Sequence, residues 1–147
     1  MAVSKKSAEN ISKVLSEALP YIQKFSGKTI VIKYGGSAMN ETYLRKSFAR
    51  DIVLMKTVGI NPIIVHGGGP QIKKELDKKN IKSTFLNGVR ITSPEMINSV
   101  QKVLDNQVNK EIVDLINSWG GKAQALSGKR SSFIKAKKIS NKRLGEV

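Results

Sequence analysis

The chain has 147 residues, of which 39% are hydrophobic and none is cysteine. This length indicates a single domain with a real core, while the lack of cysteine excludes disulfides and thiolate metal sites. The net charge of +15 fits either a nucleic-acid surface or a basic surround for anionic small molecules, and an aromatic content of only 5% favours the second.

The N-terminal region lacks both an apolar signal core and an arginine-rich transit segment. We therefore expect the chain to stay where it is made, in the cytoplasm, or in a plastid if it is plastid-encoded. Residues 8–25 predict an amphipathic helix that Pro20 should kink. Its apolar face needs a partner, either its own domain or a second subunit. The face consists of Ile11, Val14, Leu15, Ala18, Leu19, Ile22 and Phe25.

The next elements alternate between strands and helices. Buried strands are predicted at 29–33 and 62–66 from their β-branched, apolar runs. Helices are predicted at about 42–58 and 71–79, and residues 80–92 are expected to be irregular. Strands and helices that alternate with short connections indicate a parallel sheet with crossover helices, an α/β fold.

A long helix is predicted from Pro94 to about Ser118, with Ser93 as its N-cap. Segments 122–127 and 131–139 predict two strands joined by a Gly-Lys-Arg turn. The long helix should be buried along a stripe that ends in a core tryptophan. This stripe is Ile97, Val100, Leu104, Val108, Ile112, Leu115 and Trp119.

Each predicted strand of the parallel sheet ends in glycines, as YGGS at 34–37 and as HGGGP at 66–70. Ligands of open α/β sheets bind at the carboxyl ends of strands, and helix N-termini favour anions. Glycine lets backbone N–H groups approach phosphate oxygens closely. Lys33 would add a positive charge, so the two glycine clusters predict a site for phosphate and carboxylate groups.

Other phosphate-binding motifs are missing, since neither a Walker loop nor a G-x-G-x-x-G run occurs. The guanidinium of Arg90 is a planar fork that can bind a carboxylate with two hydrogen bonds. The sequence fits equally well with Arg90 as a solvated surface residue. His66 is the only histidine. At a strand end beside glycines, we expect it to hold a loop by hydrogen bonding and not to act as a general base. No spacing of histidine and carboxylates predicts a metal site.

Together, the segments KYGGSAM, IVHGGGPQI, NGVRIT and LSGK resemble the amino acid kinase family, and within it the acetylglutamate kinases. The resemblance runs in order from about Asn10 to Val147. It implies an open αβα sandwich with a mainly parallel sheet. Residues 1–27 would form an oligomerisation helix, and residues 28–147 the substrate-binding part of the kinase domain. The nucleotide-binding C-terminal half would be absent.

The resemblance also implies an activity, the transfer of the γ-phosphoryl group of ATP to the side-chain carboxylate of N-acetyl-L-glutamate, the second step of arginine biosynthesis. ATP would bind with Mg²⁺. Lys33 matches the residue that stabilises the transferring phosphoryl group, and Arg90 matches the one that grips a substrate carboxylate. The glycine pairs are Gly35 and Gly36, near the ATP phosphates, and Gly68 and Gly69, against the substrate.

The kinked N-terminal helix resembles that of the arginine-inhibited branch, in which hexamers form as trimers of dimers. Photosynthetic relatives in this branch also bind the PII signalling protein. Family members are longer than this chain, so we expect little or no kinase turnover from it alone, and an uncovered sheet edge and apolar face prone to aggregation. Two alternatives to a kinase stay open. The first is a non-catalytic module that binds acidic ligands or has a regulatory role, and the second is a basic nucleic-acid-binding protein.

Overall fold

The fold centres on a parallel pair of strands. The computed structural model of the protein describes residues 3–129 and 134–137. Strand β1 (Thr29–Tyr34) pairs in parallel with β2 (Asn61–His66) along its whole length. This pairing confirms both predicted strands and the parallel sheet.

Helices connect and follow these strands as predicted. Helix α2 (Thr42–Thr57) links β1 to β2, and α3 (Gly69–Lys78) begins three residues after β2 ends. The mixed α/β class is confirmed, and both glycine clusters stand at carboxyl ends of neighbouring strands.

One face of the sheet is covered and the other is open within the described residues. Ile32 and Ile64 point to the covered side and pack against the helical core. Val31, Ile63 and Val65 alternate with them and are exposed. The open face is therefore apolar, which agrees with the expected aggregation hazard. The buried hydrophobic residues are Tyr34, Met39, Ala49, Ile52, Ile60, Ile72, Leu76, Met96, Val103, Val108 and Ile116.

The N-terminal helix α1 (Lys5–Phe25) is capped by Ser4, whose hydroxyl accepts a hydrogen bond from the Ser7 amide at 3.3 Å. The helix continues through Pro20, and none of its residues is buried. Its apolar stripe does not pack on its own domain in the described part of the chain. The exposed members are Ile11, Val14, Leu15 and Leu19. Over the same residues, no helix has the length and hydropathy of a membrane span.

The prediction of irregular structure over 80–92 is wrong. Strands β3 (Thr84–Leu86) and β4 (Val89–Ile91) form an antiparallel hairpin. Its turn residues, Asn87 and Gly88, have φ values of 49° and 78°. Two consecutive positive φ angles make a type I′ turn, whose twist matches paired strands and which Asn-Gly favours. The Asn-Gly pair was the signal from which the hairpin could have been predicted.

The predicted long helix contains a π-helical turn at its middle. Helix α4 (Pro94–Lys102) runs into a π-helical segment (Val103–Val108) and then into α5 (Asn109–Ser118). The Ser93 hydroxyl caps the helix as predicted, accepting from the Met96 amide at 3.3 Å.

The π-helical turn explains two errors in the predicted stripe. The buried positions step by five residues, from Val103 to Val108, where ordinary spacing predicted a step of four from Leu104. Upstream of the turn, burial therefore falls one residue earlier than predicted, on Met96, and Ile97 is 49% exposed.

Trp119 is not the core anchor that the sequence predicted. It is the C-cap residue of α5 and is 46% exposed.

Segment 122–127 is not the predicted strand. Side-chain amides hold it instead: Asn117 Oδ1 accepts from the Ala123 amide at 2.7 Å, and Asn109 Nδ2 donates to the Leu126 carbonyl at 2.9 Å. These bonds tie the chain along α5 and take the place of a strand partner. The second predicted strand, 131–139, lies partly outside the described residues, and its described part, 134–137, is not a strand.

Candidate anion-binding site

The two glycine loops leave the sheet side by side. Tyr34 and His66 are register partners at the last positions of β1 and β2. Just beyond them, the Gly67 amide donates to the Tyr34 carbonyl at 2.8 Å. This bond extends the strand ladder by one step and fixes the two loops next to each other at one edge of the sheet.

The first loop is closed by Tyr34. Its hydroxyl donates to the Ala38 carbonyl at 3.0 Å, and its ring stacks on Phe48 with centroids 3.9 Å apart. Burial raises the pKa of Tyr34, while nearby Arg45 lowers it to a smaller extent. A tyrosine hydroxyl is protonated at neutral pH even at its ordinary pKa of about 10, so Tyr34 can donate this bond. The sequence pattern did not mark Tyr34, because a buried aromatic residue before glycines has no fixed meaning by itself.

The sequence predicts that the first loop leads directly into α2. In the structure, it does not. Gly36 adopts a left-handed φ of 65° and opens a 3-10 turn, Gly36–Met39, before α2 begins at Thr42. The α2 N-terminus is thus separated from Gly35 and Gly36. Any phosphate contact at this loop depends on its own backbone amides and not on the α2 dipole.

The second loop does lead directly into a helix. Gly68 is the N-cap of α3, Gly69 is its first residue, and Pro70 lies in the first turn. First-turn amides have no partner within a helix, and they carry the positive end of its dipole. This loop therefore presents the geometry that favours a bound anion.

Gly68 is required by close packing and not by its backbone angles. Its φ of 178° is accessible to any residue. A Cβ at Gly68, however, would lie 2.6 Å from Leu104 Cδ2 and 3.6 Å from Val108 Cγ2. Both leucine and valine belong to the π-helical segment. The side chains of the π-helical turn thus pack closely against the second loop at Gly68. A Cβ at Gly69, in contrast, would meet nothing within 4 Å.

Because a Cβ would clash at Gly68 and not at Gly69, we expect alanine to destabilise the protein more at Gly68. Gly68→Ala should lower the free energy of unfolding by about 1 kcal/mol, at the low end of overpacking because the clashing atom is the tip of a leucine. Gly69→Ala, the matched control, should cost less. In the Leu104→Ala background, Gly68→Ala should lose most of its effect. Urea unfolding measures all three, and an equal loss with and without Leu104 would contradict the packing account.

Lys33 stands at the penultimate position of β1, opposite Val65. Its side chain is exposed on the open face of the sheet, beside the exposed Val31. Within the described residues, it has neither an ion pair nor a hydrogen bond. The structure thus brings a free ammonium to within two residues of the first glycine loop.

His66 holds the second loop, as the sequence predicted. Its Nδ1 lies 2.9 Å from the Gly67 carbonyl oxygen. Because a carbonyl oxygen can only accept, Nδ1 carries the proton in this bond. The arrangement is that of a structural hydrogen bond, with the ring directed at the backbone of its own loop.

Arg90 is on the separate two-stranded sheet and not on the sheet whose strands end in the glycine loops. Its guanidinium carbon is 4.5 Å from the centroid of the Phe85 ring, and its Nη1 donates to the Ser83 hydroxyl. The structure thus gathers Lys33 and the glycine loops at one edge and places Arg90 on the hairpin. Among the described residues, no group of three or more histidine and carboxylate side chains could hold a metal ion.

Comparisons with known proteins give the family. The profile of the amino acid kinase family matches residues 28–147. An acetylglutamate kinase of Marinomonas sp. is 61% identical over 139 residues, which are 95% of this chain and 46% of that protein. An acetylglutamate kinase of Hahella chejuensis is 60% identical, over 90% of this chain and 44% of that protein. The chain thus spans less than half the length of these curated relatives.

Solved structures agree on the fold. A protein of Streptococcus mutans UA159 superposes with a TM-score of 0.61 at 30% identity, over 69% of this chain and 40% of that one. An N-acetylglutamate synthase of Neisseria gonorrhoeae, in complex with coenzyme A and N-acetyl-glutamate, gives a TM-score of 0.58 at 21% identity. It covers 73% of this chain and 24% of its own, and at that identity it is similar in fold alone.

Proposed function

The chain belongs to the amino acid kinase family, and we propose that it forms the acidic-substrate half of an acetylglutamate kinase. The reaction is the transfer of the γ-phosphoryl group of ATP to the side-chain carboxylate of N-acetyl-L-glutamate, a step of arginine biosynthesis. The proposal draws support from relatives named acetylglutamate kinase that are 55–61% identical over 88–95% of this chain.

The observation that carries the proposal is the pair of glycine loops at one sheet edge, joined by the bond from the Gly67 amide to the Tyr34 carbonyl. A phosphoryl transfer between two anions needs exposed N–H donors on both sides of the reacting atoms. In our proposal, Gly35 and Gly36 face the phosphates of ATP. Gly68 and Gly69 donate to the acidic substrate.

Two basic side chains complete the proposed machinery. Lys33 offers an exposed ammonium beside the first loop, where it would stabilise negative charge on the transferring phosphoryl group. Arg90 would bind a substrate carboxylate through the planar fork of its guanidinium. Because Arg90 stands on the hairpin and not on the sheet edge, we propose that the hairpin forms one wall of the substrate site.

The acceptor needs no general base. A carboxylate is already ionised at neutral pH, so it can attack phosphorus without losing a proton. The reaction therefore does not require His66, the only histidine, to act as a base, and its role can be the structural hydrogen bond within its own loop. ATP supplies the phosphoryl group and brings Mg²⁺ with its phosphates.

Assembly is part of the same proposal. The exposed apolar stripe of α1 fits the pairing of two N-terminal helices between subunits, as in a hexamer built from dimers. Inhibition by arginine and binding of a PII protein stay predictions from the family resemblance.

Calorimetric titration of the 147-residue chain tests the proposal. We expect N-acetyl-L-glutamate to bind and N-acetyl-L-glutamine, which has the same shape without the side-chain charge, to bind at least about 10-fold more weakly. We expect little or no ADP release by this chain alone with ATP and Mg²⁺. Equal affinity for both ligands would contradict a site built for two carboxylates. Strongly salt-dependent binding of nucleic acid in their place would favour the basic nucleic-acid-binding alternative.

A further inference from the structure

Three arginines lie in the described part of the chain, and their surroundings differ. Arg45 contacts the Glu111 carboxylate at 3.0 Å, and Arg50 contacts that of Asp51 at 3.8 Å. Arg90 has no carboxylate within ion-pair distance among the described residues. It is instead held by an aromatic ring, that of Phe85, and by a neutral hydroxyl, that of Ser83.

The hairpin register creates the contact between Arg90 and Phe85. The type I′ turn at Asn87 and Gly88 sets Phe85 directly opposite Arg90. Residues directly opposite each other on antiparallel strands project to the same side of the sheet. The guanidinium carbon therefore reaches 4.5 Å from the ring centroid, well within the range of a cation–π contact.

The Phe85 ring contributes little to a core, since the residue is 57% exposed. The ring lies against the Arg90 guanidinium. The N–H donors of the guanidinium lie along its planar edge, and among the described residues only the donor to the Ser83 hydroxyl has a hydrogen-bond partner. The edge is what binds a carboxylate with two parallel hydrogen bonds.

We propose that Phe85 is a positioning residue, whose ring holds the Arg90 guanidinium in place so that its N–H edge is set for a substrate carboxylate. This inference rests on the proposed function, because it assumes that Arg90 binds the acidic substrate. An arginine held in advance loses less side-chain freedom on binding. The ring therefore raises affinity for the carboxylate without touching the ligand.

The test compares Phe85→Leu, which removes the ring, with Phe85→Tyr, which keeps it, in the 147-residue chain. The first readout is ligand-free: in NMR spectra, the Arg90 side-chain protons above the ring should be shifted upfield by its ring current. We expect this shift in the original chain and in Phe85→Tyr, and its loss in Phe85→Leu.

The second readout is the dissociation constant for N-acetyl-L-glutamate. We expect Phe85→Leu to raise it roughly 3- to 10-fold and Phe85→Tyr to change it less than about 2-fold. Absence of the ring-current shift in the original chain, or unchanged affinity in Phe85→Leu, would overturn the proposal. If the shift is present but the original chain does not bind N-acetyl-L-glutamate, the proposed function fails, and the carboxylate role of Arg90 fails with it.

Discussion

Lys33→Ala should lower the rate of ADP release by roughly 100- to 1,000-fold in a chimaera in which this chain replaces the matching part of the Marinomonas relative. The 61% identity of the two sequences makes the exchange structurally mild. The ammonium has no partner among the described residues, and in the proposed function its charge stabilises the transferring phosphoryl group. Because that charge matters most in the transition state, the loss should appear in kcat more than in KM.

Stability should barely change in this variant, since the Lys33 side chain is exposed. Lys28→Ala is the matched control, as it removes an exposed lysine just before the opposite end of β1. We expect ADP release by the control to stay within about two-fold of the parent chimaera, within the range for a surface substitution. A Lys33→Ala chimaera that is folded and fully active would show that Lys33 takes no part in the transfer.

Arg90→Gln should weaken binding of N-acetyl-L-glutamate by the 147-residue chain roughly 10- to 100-fold, because it removes charge-assisted hydrogen bonds to a carboxylate. Arg90→Lys keeps the charge but loses the planar fork that offers a carboxylate two parallel hydrogen bonds. It should therefore fall between the original chain and Arg90→Gln. Calorimetry measures all of these affinities.

The control for general charge effects is Arg50→Gln, which also removes one positive charge. Arg50 is largely exposed and contacts its neighbour Asp51. Such exposed pairs contribute little to stability, and Arg50 is no part of the proposed site. We expect its loss to leave affinity unchanged. An equal fall in affinity for Arg50→Gln and Arg90→Gln would mean that net charge, and not a specific arginine, attracts the ligand.

The sheet and its glycine edge could be predicted from the sequence because their signals are local. The β-branched runs before Gly35 and Gly67 predict strands, and the alternation with helices predicts their parallel pairing. The roles proposed for Lys33 and Arg90 came from a family resemblance, and they stay predictions.

The misjudged parts depend on signals that are weaker or not local. A π-helical turn has no reliable sequence pattern, so the shift of burial from Ile97 to Met96 could not be read from apolar spacing. The support of Gly68 by Leu104 depends on this same turn. The hairpin at 84–91 is different, since its Asn-Gly pair is a local signal that favours a type I′ turn.

The most direct test of the account is to map the backbone and side-chain N–H signals of the chain by NMR while N-acetyl-L-glutamate is added. The account predicts that the amides of Gly68 and Gly69 and the side-chain signal of Arg90 shift together and saturate at one ligand concentration. Shifts confined to the lysine-rich segment after Trp119, with the glycine amides unmoved, would contradict it.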